Sequence, residues 1–551
     1  MAEQSSPTGM KKTLGLTGIT VNAMALIAPG AFLWITFALQ AASADTAGTS
    51  TAKDMWPGIV AALIVAFLTA LSFGELAHRY PDAGAGSSYY FAEKAFIDRE
   101  EPAHRRWARL AKFLTGWAAH LFYWVYPGVM VAFFATLIVY VVQQLAGPGP
   151  VYDFISSPIP QIGVAILFSI IVGAIAWRGI SGSTNVALAI NIIQLVALVL
   201  FSILAIAFRV LNPLNVAPGD WYHVGTLTQG GLSAITPHTL SGLLIQSTIA
   251  ILILVGFESS TALGAEAKNP KRDIPRGVIL SLIIQGLFAY LFEYFAANYA
   301  LIQQGPYALG VGLGYGASAG TVGTPAVAES LGISAAGLSS APLGDMIKQI
   351  AGAFFGANIG FIMMIIIAVT VIIAVLGTTL SAMNTGVRIS FAMAQDKEMP
   401  DLLGMLHPKH ATPHMGIILM VIVSAIIGSI GVAGGVVTLS AITYASNLGT
   451  FILYALICGL TIVAFLGRAD FNVLRHMIIP VLGVITNVGL ALAIFVLNFQ
   501  FGGVAAQEAA IALGIAGVWL AISVLYFVVN SRVSGRDIVP KINSVAAGAG
   551  D

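Results

Sequence analysis

The stretch IAPGAFLW, residues 27–34, lies near the centre of an uncharged run from Thr13 to Ala44. Proline removes a backbone donor and clashes with the preceding turn, and glycine adds slack, so Pro29 and Gly30 predict a helix interrupted midway. In hydrocarbon such loose backbone groups are tolerated only where protein or a water-lined cavity surrounds them. The stretch therefore predicts a membrane helix broken for a purpose.

Composition supplies the membrane. Of 551 residues, 58% are hydrophobic and 9% charged, against about a quarter charged in soluble domains. Apolar windows of roughly 20 residues predict twelve spans: 14–40, 57–74, 113–145, 161–178, 184–208, 242–265, 278–303, 350–380, 414–432, 436–466, 474–498 and 507–530. With the N-terminus inside, all of the 25 Lys and Arg residues but Lys53, Arg209 and Lys348 fall in inner segments, as the positive-inside tendency requires. Both termini are thus expected in the cytoplasm. A cleaved signal peptide is the other way to read the first run, but its apolar stretch is about twice a usual core and contains Asn22 and Pro29. The single Cys458 excludes an internal disulfide and a cysteine-cluster metal site.

A second interruption is expected in LVGFESS (254–260), at about the depth of the first. Five spans separate the two, so spans 1 and 6 run in opposite directions. That is the pattern of two inverted five-helix repeats holding a substrate between their interrupted first helices. The expected organisation is a tail at 1–13, a first repeat at 14–208, an outer loop at 209–241, a second repeat at 242–466, two further helices in 467–530, and a tail at 531–551. Each break frees N–H groups at the start of one half-helix and C=O groups at the end of the other, and the half-helix dipoles add charge of matching sign. An anionic head suits the first and a cationic head the second. Glu258, inside the second break, stands where a charge costs about 3 kcal/mol on insertion scales, so it should face a cavity or a partner.

Three cytoplasmic stretches carry a resemblance. GFESSTALGAEAKNPKRDIPRGV (256–278), GELAHRYPDAGAGSSYYFAEKAF (74–96) and NTGVRISFAMAQDKEMPDLLGMLHPKHATPH (384–414) occur in order and resemble signatures of the amino acid–polyamine–organocation superfamily of permeases. The resemblance implies a twelve-helix, all-α secondary transporter working by alternating access, proton-coupled or by exchange, with an amino acid as the expected cargo and a polyamine or cationic amino acid as the alternative. It places the cargo's carboxylate at the first break, Ala28, Pro29, Gly30 and Ala31, on the amides of Gly30 and Ala31. The amine would meet the carbonyls of Leu26, Leu252 and Val255, with Gly256, Phe257 and Glu258 forming the second break. Three positions depart from the family. The usual G-S-G-I-F is A-P-G-A-F here (28–32), so Pro29 offers no N–H; Gln194 stands where many relatives have a lysine in helix 5; and Leu252 stands where some exchangers have a gating tryptophan.

Glu293, in LFEYFAANY (291–299), is a second acid at membrane depth. Hydrogen bonds from Tyr290, Tyr294 and Tyr299 would satisfy it; with Glu258 it is otherwise the candidate for proton coupling. Tyr123, Tyr126, Asn358 and Tyr444 are candidates to line the cavity, and Ser446 and Asn447 are further polar groups in span 10; packing or interhelical hydrogen bonds would explain them as well. GASAG (316–320) matches a nucleophile motif without the strand-to-helix turn that gives it meaning. His407, His410 and His414 suit a proline-containing loop better than zinc. With no P-loop or H-E-x-x-H, neither an enzyme, a cofactor, a metal nor a nucleic-acid partner is expected. The expected setting is a bacterial inner membrane, the partners a small solute, protons and lipid, and the protein a monomer or homodimer. A channel or a receptor is the remote alternative.

Overall fold

The computed structural model describes residues 12–27, 29–43, 50–99, 101–179, 183–211, 213, 231–232, 234–301, 336, 339, 341–410 and 412–540. Among them the chain is helical, with one isolated parallel bridge between Leu14 and Ala267. Eleven helical stretches are long and apolar enough to cross a membrane. In the first expected span Ala28 lies outside the described residues; those before it form helix α1 (Leu16–Ile27) and those after it α2 (Pro29–Ala42).

The helices that follow are α3 (Met55–Arg79), α4 (Ser88–Ile97), α5 (Ala108–Ala146), α6 (Pro158–Trp177), α7 (Ser183–Leu211) and α8 (Leu240–Leu254). A 3₁₀ segment, Phe257–Leu263, leads to α9 (Pro270–Leu282), a π-helical stretch (Ile283–Tyr290) and α10 (Leu291–Leu301). Then come α11 (Pro342–Phe355), α12 (Ala357–Gln395), α13 (His414–Ala433), α14 (Gly435–Phe465), α15 (Ile479–Phe501) and α16 (Gly503–Ser534). Exposed leucines, isoleucines and valines cover the outward sides of α6, α7, α13, α15 and α16, as expected of surfaces that face lipid rather than water.

One boundary differs from the sequence expectation. The eighth span does not begin at 350: α11 ends at Gly356, whose φ of 93° breaks the helix, and α12 starts afresh at Ala357 and runs for 39 residues. Apolar content is continuous across 350–380, so hydropathy alone could not see the turn. α11 folds back on α12 so closely that a β-carbon at Gly360 would lie 2.2 Å from the Lys348 carbonyl.

Side-chain pairs knit the helix ends into two faces. On one, Leu14 exchanges backbone hydrogen bonds with Glu266 and Lys268 (2.9 and 2.8 Å), and Arg388 pairs with Glu266 at 2.5 Å. There too Arg79 bridges Asp98 and Asp470, Arg109 holds Glu398, and Lys112 joins Glu93 to Asp396. This is the basic face. On the opposite face the buried Asp54 accepts the His238 amide at 2.6 Å, and Lys348 donates to Gln144.

Asp345 also belongs to the opposite face, in α11, where it accepts from Tyr140 (2.8 Å) and Ser339 (2.6 Å). Burial pushes its carboxyl from the ordinary 3.8 up to about 6. The folded chain therefore binds this proton more tightly than the unfolded chain, and the resulting stability is lost as pH rises from about 4 through 6. Asp345→Asn is expected to raise the thermal midpoint relative to wild type at pH 7.5, with a smaller gain at pH 4.5. Unfolding followed by intrinsic fluorescence at both values checks it.

Candidate functional site

The second interruption is built by its own residues. α8 stops at Leu254, Val255 is extended, and Gly256 takes φ 126°. The hydroxyls of Ser259, Ser260 and Thr261 then fold back onto the carbonyls of Gly256, Phe257 and Glu258 at 2.6, 2.7 and 2.6 Å. These short side chains supply the partners that a broken helix lacks in a medium without water. The Glu258 carboxylate finishes the work: Oε2 accepts the Gly256 N–H (2.9 Å) and the Tyr454 hydroxyl (2.7 Å), and Oε1 accepts the Tyr123 hydroxyl (2.9 Å). Glu258 is thus tied to α5 and α14 and fully partnered.

The first expected interruption falls at Ala28, outside the described residues. Carbonyls in the last two turns of α1 accept from other helices: Asn22 from Ser381 (3.4 Å), Ala25 from Thr378 (3.1 Å) and Ile27 from Tyr290 (2.7 Å). The described residues of α2 begin at Pro29. The second interruption touches the last residues of α1. A β-carbon on Gly256 would stand 2.9 Å from Leu26 Cβ and 3.1 Å from the Ile27 nitrogen.

Beside this contact lies a cavity of about 550 Å³. Asn22 and Ala25 of α1, Ser259 and Leu263 of the 3₁₀ segment, Gln194 of α7, and Ser381 and Asn384 of α12 line it. It extends toward the basic face, where Arg178 and Arg388 are its charged lining groups. The Gln194 carbonyl oxygen is buried and has no hydrogen-bond partner among the described residues.

The other sequence candidates fall as follows. Leu26, Leu252, Val255 and Phe257 are buried around the two interruptions. Pro29, Gly30 and Ala31 are the first residues of α2, and Ala28 lies outside the described residues. Tyr123 and Tyr126 are buried in α5 next to Glu258. Asn358 is exposed in the first turn of α12 and does not line this cavity. Tyr444 turns toward Asn498 of α15 and Glu508 of α16. Glu293 is 1% exposed, but the expected tyrosine partners do not serve it: Tyr290 donates to Ile27, and neither Glu293 oxygen nor the Tyr294 hydroxyl has a partner among the described residues. GASAG lies outside the described residues. His407, His410 and His414 gather around Trp177, and the described residues hold no group of three or more His, Cys, Asp or Glu able to bind a metal.

Tyr454, Thr378 and Ser381 were not singled out from the sequence, and Tyr290 was expected to serve Glu293 rather than Ile27. Each sits in an unremarkable apolar span, and its role exists only through a partner at least 100 residues away.

Long apolar helices, an interrupted crossing held against the end of another helix, and a cavity beside that contact are the parts of a membrane transporter. The sequence pattern of the amino acid permease family matches residues 12–522, so the chain belongs to that family, within the amino acid–polyamine–organocation superfamily. It is 23% identical over 475 residues to the branched-chain amino acid permease BcaP of Bacillus subtilis, covering 83% of this chain and 82% of that protein. It is also 23% identical to the low-affinity putrescine importer PlaP of Escherichia coli, covering 98% and 97%, and 23% identical to the methylthioribose transporter of B. subtilis, covering 74% of each.

Proposed function

We propose that this protein is a secondary transporter of amino acids, built as two inverted five-helix repeats plus two helices, with twelve crossings and both termini in the cytoplasm. Cargo binds at the junction of the interrupted helices, and the carrier exposes it to one face and then the other. In the state described here the cavity leads to the basic face, which the positive-inside tendency makes cytoplasmic.

One observation carries the choice of cargo. The cavity is lined by α1 and the 3₁₀ segment, and its charged lining groups are Arg178 and Arg388, the latter paired with Glu266, while Glu258 is occupied by Tyr123, Tyr454 and Gly256. Such a field welcomes a carboxylate and repels a polycation. That supports an amino acid over the runner-up, a polyamine or cationic amino acid. Uptake into proteoliposomes from a panel of radiolabelled amino acids and putrescine, with and without a proton gradient, tests it. Accumulation of one or more neutral amino acids is expected; uptake of putrescine alone would reverse the choice.

Coupling to protons is assigned to Glu293 rather than Glu258, because an intramembrane carboxylate without an internal partner needs a proton or a cation to compensate it. Glu293→Gln is expected to flatten the dependence of uptake on external pH, whereas Glu258→Gln lowers uptake at every pH without changing the profile. If both variants keep the wild-type profile, neither carboxylate couples protons.

A further inference from the structure

The half of the molecule beyond the α1–α2 junction, toward the face that holds Asp54, contains an anomaly. Five buried side chains there, Thr36 and Gln40 of α2 and Glu293, Tyr294 and Asn298 of α10, are each at most 1% exposed. None of their side-chain oxygens, nor the amide nitrogen of Gln40 or Asn298, has a hydrogen-bond partner among the described residues. Native interiors leave only a few such groups unpaired, and a membrane interior offers no bulk water to relieve them.

The five belong to two helices that touch through one ring contact, Phe37 with Tyr294. Tyr290 donates to Ile27 at 2.7 Å, which fixes the depth of the α1 end on the α10 side. The Tyr294 ring stands 5.5 Å from that of Phe37 in α2. Helical spacing then turns Glu293 and Tyr294 toward α2, about one turn beyond Tyr290 on the side away from the cavity, with Asn298 one turn beyond Tyr294. Arg209 does not neutralise Glu293: it donates to the Tyr299 carbonyl at 2.8 Å, and no ion pair joins the two. On the basic side of the junction the hydroxyls of Thr378, Ser381 and Ser259 are bonded, while the Thr20 hydroxyl and the Gln194 carbonyl oxygen have no partner among the described residues.

A carrier that alternates must line both approaches to its cargo with polar groups, and in either state one approach is closed with its lining collapsed. We propose that Thr36, Gln40, Glu293, Tyr294 and Asn298 line the approach from the opposite face when the carrier turns outward, and that Glu293 receives the ammonium group of the arriving cargo there. This rests on the transport function proposed above and adds the chemistry of the outer subsite: one carboxylate for an ammonium, with amide and hydroxyl groups beside it for the polar remainder of a small amine-bearing solute. The same carboxylate then takes either a proton or an ammonium, so the two compete.

Cysteine accessibility tests it, because the only native cysteine, Cys458, is buried and wild type gives the background. Gln40→Cys and Asn298→Cys would be treated in intact cells with membrane-impermeant methanethiosulfonates, one cationic and one anionic, of similar size. Asn384→Cys, on the inner cavity, would be treated in inside-out vesicles as the sided control, and uptake would be measured on the same preparations. Both outer variants are expected to react from outside, roughly tenfold faster with the cationic reagent, a preference that falls to within about twofold when Glu293→Gln is added. The cargo that wild type takes up should slow the reaction. Failure of both outer variants to react while Asn384→Cys reacts and uptake persists would overturn the proposal. Equal rates for the two reagents would overturn the role of Glu293. Absence of any uptake by wild type would instead count against the transport function, which keeps the two failures apart.

Discussion

Gly256→Val is expected to abolish uptake while leaving the protein in the membrane. Gly256 has φ 126°, a region closed to a β-branched residue at a cost of about 1–3 kcal/mol. A β-carbon there would also stand 2.9 Å from Leu26 Cβ and 3.1 Å from the Ile27 nitrogen, and overpacking of this kind adds roughly 1–3 kcal/mol. The two costs fall on one spot, the contact between the interruptions, so a loss of roughly a hundredfold or more in uptake rate is expected. Gly256→Ala carries less bulk but meets the same φ, and should fall between wild type and valine. Uptake per unit of surface-labelled protein separates this from poor expression. Near-normal rates for valine would mean that the contact is not part of the transport machinery.

The second large effect is at Glu258. Three donors, from Gly256, Tyr123 and Tyr454, converge on its two oxygens. Glutamine keeps the shape but replaces one acceptor oxygen with a donor, so a buried donor faces another donor, at about 1–3 kcal/mol. A five- to hundredfold loss of uptake, roughly, is expected. Tyr454→Phe removes one donor and should cost less. Because both changes act on one hydrogen-bonded cluster, Glu258→Gln with Tyr454→Phe should fall short of the sum of the singles by about 0.5 kcal/mol or more. Additive losses would show that Glu258 works without Tyr454, as a free charge for cargo would.

These expectations depend on features that the sequence revealed unevenly. The G-F-E within an apolar run announced the second interruption, because glycine and a carboxylate at that depth have no role in an ordinary span; S-S-T after it supplied the side-chain partners. Pro29 marked the first expected junction, which falls beside Ala28, outside the described residues. Glu258 and Glu293 looked equivalent as intramembrane acids. Their difference is tertiary: one accepts from tyrosines of α5 and α14, the other has no hydrogen-bond partner among the described residues, and no local pattern encodes that. The turn at Gly356 was hidden for a different reason, since the residues on both sides are apolar and one glycine among many carries no signal. Asn358 and Tyr444 were chosen as polar residues in spans, but the first is exposed at a helix start and the second faces α15 and α16, because helical periodicity alone does not say which neighbour a face will meet.

The central claim is that cargo sits where α1 ends and the 3₁₀ segment begins. A cryo-electron microscopy structure in lipid nanodiscs, with the amino acid that the proteoliposome panel selects, measures this directly. Density for the ligand is expected between Asn22–Ile27 and Gly256–Ser259, with α1 and α2 separate around it. Ligand density remote from both interruptions, or a single continuous helix from Leu16 to Ala42, would contradict the account.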